Sequence, residues 1–221
     1  EYIKSGIIGA VSEVHLWSNR PVWKQGYFDR PQGVAVPEHL NYDLWLGPAP
    51  YKDYHPDILH FAWRGLWDYG TGAMGDMGAH TFDAPIWALD LGMPTKIQAT
   101  TTPFNNDYIP KSERVTYEFA ARDNQPPLTV TWSDGGIKAP RPAALEENRG
   151  LREALYVGDR GMLMHGTHGA SPELIPNNPD FAPEKALPRP SNIYLDFIEA
   201  IKEKRPAANS FEVAAKVTEI M

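Results

Sequence analysis

Between Arg20 and Tyr69 the chain has almost no regular hydrophobic rhythm, and this stretch limits what the rest can become. It reads "RPVWKQGYFDRPQGVAVPEHLNYDLWLGPAPYKDYHPDILHFAWRGLWDYG", dense in Pro, Gly, aromatic residues, His and Arg. Neither the period-two alternation of a strand nor the 3.6-residue period of a helix runs through it. A loop this long inside a compact domain is usually functional or disordered. Disordered segments are poor in aromatic residues, and this one is rich in them. It is therefore expected to be an ordered loop, pinned by its rings to a core that the flanking segments supply.

Those flanking segments carry clearer signals. "AVSEVHLWSN" alternates at period two, as do "TKIQATTTPF", "RVTYEFAA" and "LTVTWSD". Strands are expected near 11–18, 95–103, 114–121 and 128–133, with a hairpin turn at "ARDNQPP". A further pair of short strands over 154–165 surrounds "GDRG", and 166–190 reads as loop. Residues 75–91 read as a helix closed by Gly92, with Pro94 just beyond. Two more helices are expected in "SNIYLDFIEAIKEKR" and "SFEVAAKVTEIM", capped by Ser191 and Ser210. The opening "EYIKSGIIG" reads as the last turns of a helix closed by Gly9. Both ends of the chain read as cut, and the opening residues do not read as a signal peptide.

Composition narrows the function classes. The net charge is -7 and no Lys/Arg-rich run occurs, which argues against nucleic acid and anionic membrane surfaces as partners. No apolar run approaches the ~20 residues of a membrane span. Zero cysteine excludes disulfides, thiolate catalysis and Cys-based zinc sites, and fits any compartment. Large amphipathic rings, 7 Trp and 10 Tyr, offer flat surfaces to a ligand or to the core.

The stretch "YGTGAMGDMGAHTFDAPIWALDLG" is flexible in its first half and helical in its second. Asp76, His80 and Asp83 are spaced i, i+4 and i+7, which puts them on one helical face. Met77, Ala84, Trp87, Ala88 and Leu91 share another face suited to packing. Three readings of the charged face stay open. Asp76 is a first-turn carboxylate favoured by the helix dipole and His80 a satisfied core imidazole. Alternatively, the pair shares a metal ion, although the upstream His55 and His60 match no metal spacing. Or His80 moves a proton near neutral pH while a carboxylate orients it. "GTGAMG" is G-x-G-x-x-G by letter, but no strand run precedes it.

"GTGAMGDMGAHTFD" resembles the D-x-x-x-H helix in the C-terminal domain of the Gfo/Idh/MocA oxidoreductases, the family of glucose–fructose oxidoreductase and inositol dehydrogenase. "LNYDLWLGPAPYKDYHP", "FAWRGLWDYGTGAMGDMGAH" and "VSEVHLWSNRPVW" resemble a bacterial subgroup rich in sugar dehydrogenases. The likeness runs from residue 1 to 221 and is most specific over 41–92. It implies an α+β fold with an open, mostly antiparallel sheet and helices packed on one face, like the C-terminal domain of dihydrodipicolinate reductase. It also implies a missing N-terminal Rossmann domain that binds NAD or NADP, so residues 1–221 are expected to be a single substrate-binding and oligomerisation domain. Asp76 and His80 match the family's catalytic Asp and His, and no metal is implied. The family's E-K-P lysine has no counterpart here.

With that family in view, Trp17, Arg20, Trp23, His60, Trp63 and Arg64 are suited in type to hold a sugar, and Asn19 and Lys24 more weakly so. The expected function is the substrate domain of an NAD(P)-dependent oxidoreductase acting on a sugar or polyol hydroxyl. An NAD-dependent glycosidase of the same family, or a non-catalytic sugar-binding module, is the alternative. A homodimer or homotetramer is expected, formed through a bare apolar face of the sheet.

Overall fold

The computed structural model describes residues 1–122, 125–190 and 192–221. Seven strands form one sheet: β1 (Val11–Trp17), β2 (Lys96–Thr101), β3 (Glu113–Phe119), β4 (Leu128–Ser133), β5 (Ala154–Gly158), β6 (Met162–Gly166) and β7 (Ala170–Ile175). Their order across the sheet is β2-β3-β4-β1-β5-β6-β7. Every pair is antiparallel except β1 with β4. The open, mostly antiparallel sheet is thus the one expected, and β3 and β4 form the expected hairpin. Residues 123 and 124 of its turn lie outside the described residues.

Alternation gives the sheet two unlike faces. One carries Val14, Leu16, Val115, Tyr117, Phe119, Leu128, Val130, Trp132, Ala154, Tyr156 and Leu163, all buried in the main core. Helices α2 (Gly72–Thr81), α3 (Asp83–Ala88) and α5 (Phe211–Ile220) close over it, contributing Met74, Ile86, Val217 and Ile220. On the other face, Trp17, Leu155, Met164 and Ile175 pack beneath Leu145 and its loop. The β1–β4 side of that second face presents Gln98, Thr100, Arg114, Thr116, Glu118, Thr129, Thr131, Glu13 and His15. The bare apolar face expected from alternation is therefore absent there: the outward positions are threonines and charges.

Several local expectations are corrected. The helix expected over 75–91 begins earlier, at Gly72, and is two short helices. Pro85 explains the break at Phe82, because it has no N–H to offer the Thr81 carbonyl and its ring crowds that position. Asp90, in the left-handed region at φ 47°, turns the chain out of α3, in place of Gly92. Residues 2–8 form successive turns and not a helix, although Gly9 does adopt φ 75°. The stretch read as loop after 166 contains β7, whose Pro172 sits at the edge of the sheet, where no ladder bond is required of it. The expected cap Ser191 lies outside the described residues; α4 (Ile193–Glu203) is capped by the Asn192 side chain, which accepts from the Tyr194 and Leu195 N–H groups. Ser210 does hold the N-cap position of α5, without a side-chain bond. α4 buries Asp196 and Ala200 and leaves Ile193, Tyr194, Phe197 and Ile201 to solvent. No helix among the described residues is long and apolar enough to cross a membrane.

The long loop is ordered, as expected. It contains α1 (Tyr42–Leu46) and a short 3-10 helix at Ala62–Gly65, and it buries Trp23, Tyr42, Tyr54, Ile58 and Leu66. Its rings interlock: Tyr42 stacks on Trp45 and meets Tyr54 edge-on.

Asp134, just beyond β4, is fully buried. One oxygen accepts from the Glu113 N–H at 2.8 Å and the other from Trp132 Nε1 at 3.3 Å. Burial above all, and the nearby Glu113 carboxylate, raise its pKa to about 7. In the unfolded chain the same group ionises near 4. Between those values the native state binds more protons than the unfolded state, so stability falls as pH rises from about 4 to about 7 and levels off above. The urea midpoint of the wild type should drop across that window, and that of Asp134→Asn should drop much less. Equal slopes for both proteins would contradict this.

Candidate functional site

The site grows from the junction of the 3-10 helix at Ala62–Gly65 with α2. Gly70 permits it: an added Cβ there would stand 2.4 Å from the Arg64 carbonyl oxygen, so only glycine lets the turn into α2 lie against Arg64. Arg64 Nε then donates to Asp76 Oδ1 at 3.1 Å, and Arg64 Nη1 donates to the Phe61 carbonyl at 3.0 Å. The guanidinium lies 4.7 Å from both the Phe61 and Trp63 ring centroids and 6.0 Å from that of Trp23. A planar cation over aromatic faces and bonded to a carboxylate is held in one orientation. Beside it, a cavity of about 330 Å³ is lined by Trp45, Leu46, Trp63, Asp68 and Tyr69, large enough for a small ligand.

One turn along α2, His80 is exposed. Its ring meets His168 edge to face, with centroids 4.4 Å apart. His168 belongs to the turn Thr167–Gly169 between β6 and β7, and its φ of 64° is left-handed. Behind this pair His165 is buried. Its Nδ1 donates to the Gly166 carbonyl at 2.7 Å, which leaves Nε2 to accept from the Tyr156 hydroxyl at 3.0 Å. Burial lowers the His165 pKa, which keeps the ring neutral as this bonding requires. Asp83, at the start of α3, has its pKa raised by desolvation.

The structure brings Trp23, Trp63, Arg64 and Asp76 together. It changes the partner of Asp76: the carboxylate is bonded to Arg64, and no ion pair between Asp76 and His80 forms among the described residues. Trp17 is removed from the site, since it is buried in the core on the opposite face of the sheet. Trp23 is buried and donates to Gln25, which in turn donates to the Pro110 carbonyl, so it anchors the loop. Arg20 bonds Asn19 at the end of β1, and Lys24 lies over Phe28 and Tyr108. His60 is exposed, and its carbonyl accepts from Trp63 Nε1. Sequence reasoning missed Phe61 and His168; the only signal for His168 was a histidine set between glycines in "GTHG". No group of three or more His, Asp or Glu placed to share a metal ion occurs among the described residues.

In "GTGAMG" the glycines open α2, but they follow a 3-10 helix and a turn instead of a strand. The described residues therefore build no phosphate cradle of the strand–turn–helix kind.

An NAD-binding protein from Listeria innocua superposes with a TM-score of 0.50 at 15% identity, over 99% of this chain and 57% of its own. The WlbA dehydrogenase from Bordetella pertussis, in complex with NADH and UDP-GlcNAcA, gives 0.47 at 14% identity, over 97% of this chain and 52% of its own. The biliverdin reductase of Synechocystis sp. PCC 6803, in complex with biliverdin and NADP+, gives 0.45 at 15%, over 99% and 55%. The chain thus spans a little over half the length of these structures. No curated protein matches it in sequence. A family model described as "Oxidoreductase family, C-terminal alpha/beta domain", of Gfo/Idh/MocA type, matches residues 2–125, more than half of the chain. With the open sheet and the helix bearing Asp76 and His80 already placed, this match decides the question: the chain belongs to the Gfo/Idh/MocA oxidoreductase family and is a C-terminal α/β domain of it.

Proposed function

We propose that this chain is the substrate-binding domain of an NAD(P)-dependent oxidoreductase that acts on a sugar or polyol hydroxyl. The observation that carries the proposal is the exposed His80 imidazole one turn from the clamped Arg64–Asp76 pair, on a domain of an oxidoreductase family. NAD or NADP is held by a dinucleotide-binding domain elsewhere in the protein, since the residues here do not form its cradle. When bound, it supplies the hydride acceptor. The residues of this chain do the rest. Arg64, fixed between Phe61 and Trp63, offers donors to substrate oxygens, and the rings offer faces to its C–H surface. His80 takes the hydroxyl proton as the C–H bond breaks.

The test is cofactor reduction by the protein carrying both domains, offered hexoses, hexitols and uronic acids with NAD+ or NADP+. Accumulation of NADH or NADPH with one of them is the expected outcome. Glycoside cleavage with no net cofactor reduction would shift the reading to an NAD-dependent glycosidase. Binding of a sugar without either reaction would leave only a binding module.

We also propose that the domain associates with itself through the sheet. Because the outward face is threonine-rich and charged, the contact would be polar and sensitive to salt. Light scattering should give a mass above 24.7 kDa that falls as salt rises, and a monomer at every salt concentration would refute it.

A further inference from the structure

We propose that His168 is a positioning residue for His80: its imidazole, delivered by the β6–β7 connector, fixes the orientation in which the His80 ring meets substrate. The inference rests on the reading of His80 as the proton-transfer group.

The starting point is what His80 lacks on its own helix. Asp76 is the carboxylate one turn away, and it is committed to Arg64. The ring that does touch His80 is His168, at 4.4 Å between centroids and 68° between planes. In that arrangement the electropositive edge of one ring rests on the face of the other, which restricts rotation about the side-chain bonds. Other titratable groups around the connector are Asp83 on α3, the Tyr156–His165 pair on the sheet, and Arg152 and Glu153, whose charged ends lie beside Gly166. His165 has both ring nitrogens engaged.

The connector is held so that it delivers this ring. At its start the buried His165 grips the Gly166 carbonyl, and Tyr156 grips His165. At its end Gly169, at φ 71°, lies against Ala84 of α3, where an added Cβ would sit 3.9 Å from that of Ala84. Between them His168 occupies φ 64°, ψ 22°, a region unfavourable for a residue with a Cβ. A glycine would hold the same turn without that cost, so the turn itself does not call for this side chain. Its contact with His80 gives it a purpose.

Two measurements test this. In the chain labelled with [15N]-histidine, His168→Asn should shift the His80 ring signals and change the balance of its two neutral tautomers, leaving those of His165 in place. Asparagine is chosen because it tolerates the left-handed region, so the turn is kept. In the protein carrying both domains, with the same hexoses, hexitols and uronic acids, His168→Asn should lower kcat roughly tenfold with little change in KM, as expected for a misplaced acid–base group. It should cost nothing further in a His80→Ala background. His168→Phe, which keeps a ring at the contact and cannot titrate, should recover most of the rate. Unmoved His80 signals, or the same loss with and without His80, would overturn the proposal. If His80→Ala itself leaves turnover intact, it is the role of His80 that fails, and the spectra still decide whether His168 orients its ring.

Discussion

Replacing His80 by alanine in the protein carrying both domains should lower kcat by roughly 10²–10⁴, the usual contribution of a positioned acid–base group. Oxidation of a carbinol requires loss of its O–H proton as hydride leaves. Of the ordinary side chains, histidine titrates nearest neutral pH. His80 is exposed, so removing its ring opens no cavity in the core, and the variant should keep its far-UV spectrum and melting temperature. Dinucleotide affinity should be nearly unchanged, because the described residues build no strand–turn–helix cradle around His80. Arg64→Ala should act differently. It removes the donor to Asp76 and the cation between Phe61 and Trp63, so KM for the substrate should rise more than kcat falls. Near-normal turnover in His80→Ala, measured on purified and folded protein, would remove His80 from the chemistry and leave α2 a structural helix.

The second large effect concerns stability. Trp132→Ala should cost about 3–5 kcal/mol, the range for deleting a buried tryptophan. Trp132 is fully buried at the centre of the sheet, where it neighbours Leu16 and Val115 across β1 and β3 and lies 5.9 Å from the Phe82 ring. It also donates to Asp134, so its loss takes a donor from a buried carboxyl. Domains of this kind have about 5–15 kcal/mol in total. For a chain of this length the melting temperature should fall by roughly 6–20 °C. Trp132→Phe refills most of the volume and should cost less than half as much. A loss under about 1 kcal/mol for the alanine variant would mean that the centre of this core is elsewhere.

β1, β3 and β4 were readable because each buries mainly one face, and burial of one face imposes period two on the sequence; β5 and β6, buried on both faces, showed as short apolar runs around "GDRG". β7 escaped for a physical reason. It is an edge strand with Pro172 at an irregularity in its pairing, and an edge needs neither a full ladder nor a clean alternation. The break between α2 and α3 was present in the sequence as Pro85, in a run whose apolar spacing otherwise suggested one helix. The site was readable only in part. The spacing of Asp76 and His80 places both on α2, but spacing within a helix says nothing about what approaches from elsewhere. Arg64 reached Asp76 through a turn that depends on Gly70. His168 reached His80 from across the sheet, 88 residues further along the chain. Trp17 shows the converse: its period-two position was legible, and the face it belongs to was not.

The order of strands also sets a timetable for folding. β1 is the first strand of this sheet in sequence and lies between β4 and β5, so neither of its edges can close until much later sequence exists. Val157, which pairs with Glu13, follows it by 144 residues. At about 5–20 residues per second of synthesis, β1 waits roughly 6–23 s for Val130 of β4, the partner of Val14 116 residues on, and roughly 7–30 s for β5. Contacts this distant in sequence also slow refolding from denaturant, because the connecting chain must first be confined. On the ribosome, the β3–β4 hairpin is complete before β5 emerges, so it offers the first template on which β1 can dock, through the one parallel pairing in the sheet.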